Sequence, residues 1–120
     1  MDSYRELNVW KKSMTLSVDV YTVTQSFPSH EQFGITSQLR RSTTSVPLNI
    51  AEGWGRGINK SYIQFLKIAR GSLYEVETIV LLCKELNYIL EVNCEEILAR
   101  TNEIGKMINS LIKSIELKIK

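Results

Sequence analysis

The sequence predicts an all-α fold, an antiparallel up-and-down four-helix bundle with a Pro-kinked second helix. Three observations carry that prediction. Apolar residues recur in steps of three and four along the third and fourth segments, as one face of a helix requires. Gly and Pro are sparse, six and two in 120 residues, and both prolines precede residue 50, which leaves little turn chemistry for many short strands. No alternating apolar and polar run bounded by turn residues competes with the helical pattern.

The first helix is expected over about Arg5 to Gln25. Leu7, Trp10, Met14, Val18 and Tyr21 are spaced 3, 4, 4 and 3, which predicts that they form its buried face. Ser3 and Glu6 have capping-box spacing at its start. In the following "SFPSHEQFG", Pro28 disfavours helical geometry at Phe27, and Ser29 to Gln32 is expected to form a short helical turn.

The second helix starts near Ile35 and contains "RRSTTSVPLNIAEGWGRG", Arg40 to Gly57. Gln38, Arg41, Ser45, Asn49, Glu52 and Arg56 make a polar stripe at helical spacing, and Ile35, Leu39, Val46 and Ile50 an apolar face. The small residues Ser42, Thr43, Thr44 and Ala51 lie between and favour close approach of another helix. Pro47 deletes the bond to the Thr43 carbonyl, so a kinked but continuous helix is predicted. The hydroxyls of Thr43, Thr44 and Ser45 are expected to relieve the freed carbonyls. Gly53, Gly55 and Gly57 are read as the stop.

The third helix is expected over Asn59 to Asn87, with Asn59 as N-cap. Tyr62, Leu66, Ala69, Leu73, Val76, Val80 and Cys83 form its seam, beside a second apolar row of Phe65, Ile68, Ile79, Leu82 and Leu86. The fourth opens at Asn93, with Glu96 completing a capping box. Ile97, Thr101, Ile104, Ile108, Leu111, Ile115 and Ile119 are its seam. The extra apolar surface on the third and fourth helices predicts association with other copies.

One domain over residues 1–120 is expected. A hydrophobic content of 43% supports a core, and 23% charged residues exclude a disordered tail or a membrane protein. The longest purely apolar run is Ile79 to Cys83, far short of a span, and the first residues carry no apolar signal region. A cytoplasmic protein with free Cys83 and Cys94 thiols follows. Two cysteines and the single His30 cannot build a usual structural zinc site. No metal, cofactor, membrane contact or small-molecule substrate is expected.

The net charge of +2 hides an asymmetry. Arg40 to Arg70 holds six basic residues against Glu52 alone, for +5, while the rest of the chain is −3. Arg40, Arg56, Lys60 and Lys67 are candidates for phosphate contact, with Trp54 either stacking on a base or anchoring a subunit contact. Gln38, Arg41, Ser45, Asn49, Glu52 and Glu75 are candidates for a polar network at a helix or subunit interface that fixes register. The same residues could instead touch a ligand or RNA. The glycines lack the Lys-Ser/Thr ending of a phosphate loop. His30 sits in the Pro-containing link, away from the serines, and no Glu-x-x-His pair exists, so an enzyme is not expected.

"LNVWKKS", "FPSHEQFGITSQLRRSTTSVPLNIAEGWGR" and "FLKIARGSLYEVET" together resemble a bacterial four-helix bundle family that includes proteins encoded in intervening sequences of 23S rRNA genes. The resemblance runs from about Tyr4 to Ile112. Gln38, Arg41, Ser45, Asn49, Ile50, Ala51, Glu52 and Gly53 stand in the family's order, as do Ala69, Ser72 and Glu75. It implies an up-and-down bundle assembled as a ring-shaped homopentamer, with no enzymatic activity. The related accessory protein of diversity-generating retroelements, a basic pentamer acting with a reverse transcriptase and nucleic acid, makes RNA binding the expectation. The alternative is a scaffold ring that docks a protein and uses its arginines internally. Exposure of Arg40, Arg56, Lys60 and Lys67 separates the two.

Overall fold

A computed structural model describes residues 2–119. Four helices, α1 (Asn8–Thr24), α2 (Ile35–Arg56), α3 (Asn59–Glu85) and α4 (Glu91–Ile119), form an elongated bundle of 48 × 22 × 20 Å. Each helix contacts its chain neighbours, and α1 closes on α4, as an up-and-down bundle with short links requires. Two short 3-10 turns, Tyr4–Glu6 and Ser29–Glu31, precede α1 and α2. No described helix is long and apolar enough to cross a membrane.

The core follows the long seams. On α3, Leu66, Ala69, Leu73, Val76, Val80 and Cys83 are buried, and on α4 Ile97, Thr101, Ile104, Ile108 and Ile115. The ends differ from the sequence expectation. Ser3 caps the Tyr4–Glu6 turn by accepting the Arg5 amide at 3.1 Å, and α1 begins only at Asn8. The α4 helix starts at Glu91, two residues before the expected box, with the Cys94 amide on the Leu90 carbonyl. Asn59 is the first residue of α3 rather than its cap.

The larger difference is on α1. The face turned inward is Val9, Ser13, Leu16, Ser17, Val20 and Thr24, whereas Met14, Val18 and Tyr21 of the predicted face are exposed. Close approach explains it. Thr43, Val46 and Pro47 are buried on the facing helix, and only a stripe as small as Ser13–Ser17 fits against them. The bulky stripe is turned to the side.

That contact also answers Pro47. The α2 helix runs through it without a break, leaving the Thr43 carbonyl without an amide donor. Relief comes from across the interface: the Ser17 hydroxyl lies 3.1 Å from the Thr43 carbonyl oxygen. It is equally close to the Ser13 carbonyl, but within a helix that oxygen already accepts the Ser17 amide. The Ser17 hydroxyl is thus placed between the two carbonyls, of which only that of Thr43 lacks an amide donor. Of the residues expected to help, Thr44 bonds the Arg40 and Arg41 carbonyls, one turn earlier.

Only Gly57 acts as the stop, with φ of 72° in the left-handed region. Gly53 lies inside α2 and marks close packing, since a Cβ there would meet Phe65 Cβ at 2.8 Å and the Tyr62 carbonyl oxygen at 3.3 Å.

Candidate functional site

The seam between α2 and α3 carries the polar network. Ser72 donates to the Ser45 hydroxyl at 2.8 Å, and the Asn49 amide donates to the Ser45 carbonyl at 2.8 Å and hydroxyl at 2.9 Å. One turn before, Ser42 donates to Glu75 at 3.0 Å. Short side chains make this possible, because only small residues at helical spacing let the two backbones come close enough for hydroxyls to meet. The seam pairs groups that would otherwise be orphaned, and it fixes the register of α3 on α2.

Of the six residues expected there, Ser45, Asn49 and Glu75 are brought together. Gln38 and Arg41 are exposed and outside the network, and Glu52 turns away to pair with Arg56 at 2.9 Å. Ser42 and Ser72 complete it. Their signal was a small hydroxyl residue recurring among larger packing residues.

The expected phosphate-contacting residues also divide. Arg40 is drawn inward: it donates to the Thr24 hydroxyl at 2.9 Å, lies 3.5 Å from the Tyr21 carbonyl and stacks 4.6 Å over the Tyr21 ring. It caps the C-terminal end of α1, where a cation is favoured. Arg56 is neutralised by Glu52 and lies 5.1 Å over Phe65. Trp54 packs edge-on against Tyr4, 6.3 Å between ring centroids. Lys60 and Lys67 are exposed and enter no ion pair among the described residues.

Those two lysines belong to a wider face. They are seven residues apart on the outside of α3, and Arg70 follows three residues after Lys67. Arg70 donates to the Asn109 side chain of α4 at 2.8 Å, a neutral partner, and enters no ion pair among the described residues. Lys106 lines the same cleft, and Lys113 lies one turn beyond Asn109 on that side. Five cations thus stand on the α3/α4 face, against two acids: Glu116, in register with Asn109 and Lys113, and Glu77, which lines the cleft with Arg70 and Lys106 and accepts the Thr101 hydroxyl at 2.7 Å. The sequence expectation missed Lys106 and Lys113, because α4 mixes acids and bases and only the α3 contact sorts them by face.

The titratable groups of the interior are held neutral. Burial pushes the Cys83 thiol up to about 11, helped by the Glu31 carboxylate and Cys94, so it stays protonated near neutral pH. Both cysteines are buried and free. Tyr88 is raised chiefly by its hydrogen bond to Glu31, at 3.0 Å. Among the described residues no three metal-binding side chains converge.

A family model described as 23S rRNA-intervening sequence protein matches residues 5–110. A crystal structure of a protein of unknown function from the S23 ribosomal protein family of Bacteroides thetaiotaomicron VPI-5482 superposes with a TM-score of 0.78. It is 29% identical, over 88% of this chain and 98% of that chain. No curated protein matches.

Proposed function

We propose a function from one premise: the chain belongs to the 23S rRNA-intervening sequence protein family. It is a non-enzymatic, cytoplasmic, self-associating bundle that binds structured RNA, free or in a ribonucleoprotein, through the cationic α3/α4 face. The observation that carries this reading is the excess of Lys60, Lys67, Arg70, Lys106 and Lys113 over Glu77 and Glu116 on two rigid helices, with none of the five in an ion pair among the described residues. Such a face meets phosphates at fixed spacing, so binding is backbone-directed and salt-sensitive. Self-association, with a homopentamer as the expected form, repeats the face and raises avidity without new contacts. Arg40, Arg56 and Trp54 belong to α2 and fall outside the α3/α4 face in this reading.

The protein-scaffold reading draws on the same engagement of Arg40 and Arg56 within the chain. Photo-cross-linking to a structured RNA, followed by mass spectrometry of the peptides, separates the two. Cross-links are expected on α3 between residues 60 and 70 and on α4 between residues 106 and 113. Cross-links confined to α1 and α2 would contradict the assigned face. No cross-link at moderate salt, with a protein co-purifying instead, would favour the scaffold.

A further inference from the structure

The side of the bundle opposite the cationic face is apolar on its outside. Met14, Val18 and Tyr21 of α1 and Pro47, Leu48 and Ala51 of α2 line an open groove of about 590 Å³ in which no lining residue is charged. Val18 is 62% exposed and Leu48 66%. The charges at its margin are Lys11, three and seven residues before Met14 and Val18, Arg40, stacked 4.6 Å over Tyr21, and Arg41, seven before Leu48, while Glu52, four after Leu48, is paired with Arg56. Apolar surface gathered in this way marks a contact site rather than scattered exposure.

The C-terminal half of α3 carries its counterpart. Tyr74, Leu81 and Leu82, with the C-cap residue Leu86, are exposed there, each by more than 40%. Glu75 and Glu85 are exposed among them, whereas Glu77 turns to Thr101 of α4 and Lys84 pairs with Glu91 at 3.8 Å. This surface is a single convex helix, with Thr78, Leu82 and Leu86 in i, i+4 succession, whereas the first is a furrow between two helices. A ridge of one helix seats in such a furrow. The fringe charges are opposite in sign, which steers this pairing and penalises groove against groove.

We propose that the α1/α2 groove of one copy receives the Tyr74–Leu86 ridge of α3 from a second copy. This rests on the self-association reading above and deepens it by naming the two surfaces. The surfaces differ, so the contact is head-to-tail: each copy offers one groove and one ridge, and the assembly closes as a ring or grows. The contact uses the half of α3 beyond Arg70 and leaves Lys60, Lys67 and Lys113 outside it, with Tyr74 alone of its exposed apolar residues bordering the cleft that Arg70 and Lys106 line.

Two double variants test it by sedimentation velocity, with helical circular dichroism and melting as the check on folding. Val18→Glu with Leu48→Glu disables the groove, and Leu82→Lys with Leu86→Lys disables the ridge. Each alone is expected to weaken association at least about a hundredfold and run as a monomer. Mixed in equal amounts, they should form a species of two chains, because one intact groove then faces one intact ridge. A monomeric wild-type chain would overturn self-association itself. An oligomeric wild type with unaffected variants would overturn only these surfaces. Variants that are monomeric alone and inert when mixed would overturn the head-to-tail pairing.

Discussion

The two flanks of α2 solve the same problem in opposite ways. Toward α3 the contact is sealed: Gly53 admits the backbone of α3, and Ser42, Ser45, Asn49, Ser72 and Glu75 close the outer edge with hydrogen bonds. Toward α1 it is closed inside and open outside. Ser17 serves the carbonyl that Pro47 orphans, but the small stripe that makes this possible pushes Met14, Val18 and Tyr21 to the surface. The sealed flank fixes α3, whose far side carries the cations. The open flank is left with apolar surface that a second copy can cover. The difference teaches that small residues do two jobs in this chain. They bring helices close, and they decide which large residues are excluded from the core.

The sealed flank is the harder to disturb without loss. Gly53→Val is expected to destabilise the fold by about 3 kcal/mol or more, since it must push Phe65 or the Tyr62 backbone aside. Gly55→Ala, two residues on and with nothing within 4 Å of the added methyl, should be neutral or gain about 0.5 kcal/mol. Chemical denaturation of the pair checks this, and equal effects at the two glycines would break the distinction between packing glycine and solvent glycine.

On the open flank the effect is smaller. Ser17→Ala should cost about 1–3 kcal/mol by leaving the Thr43 carbonyl buried without a donor. In a Pro47→Ala background the helix supplies its own amide, and the cost of Ser17→Ala should fall below about 1 kcal/mol. A double-mutant cycle that came out additive would mean that Ser17 does not serve the Pro47 defect. Smallest of all, Glu52→Gln is expected to change stability by no more than about 0.5 kcal/mol, since both members of its pair with Arg56 are more than half exposed.

How much of this was legible in the sequence depended on the reach of each signal. The α3 and α4 seams are long repeats, so Leu66 to Cys83 and Ile97 to Ile108 could be read directly as core, whereas in the next turn Ile112 is buried in place of the expected Leu111. The α1 face was misread because Met14, Val18 and Tyr21 carry the stronger apolar pattern, and only the approach of Thr43 and Pro47 makes Ser13 and Ser17 the better fit. The tie between Ser17 and Thr43 joins residues 26 apart, beyond any local pattern. Gly53 reads as a stop because glycines at 53, 55 and 57 form one cluster, and the neighbour that gives it another role is Phe65 on the next helix. The candidate site was legible in part. Lys60 and Lys67 fall in the +5 segment, but the fates of Arg40 and Arg56 depend on Tyr21, Thr24 and Glu52, and Lys106 and Lys113 join them only through the α3/α4 contact.

The most direct test of the functional account compares the two sides of the molecule in one assay. Affinity for a structured RNA would be measured by fluorescence anisotropy across a salt series at concentrations where the assembly state is constant. Two variants would be compared: one with Lys60, Lys67, Lys106 and Lys113 changed to Gln, the other with Arg41→Gln on the groove side. The account predicts that the first loses affinity at every salt concentration and that its log–log salt slope falls by about 0.7–0.9 per contact removed, while the second stays near wild type. Unchanged affinity and slope in the four-lysine variant would contradict it.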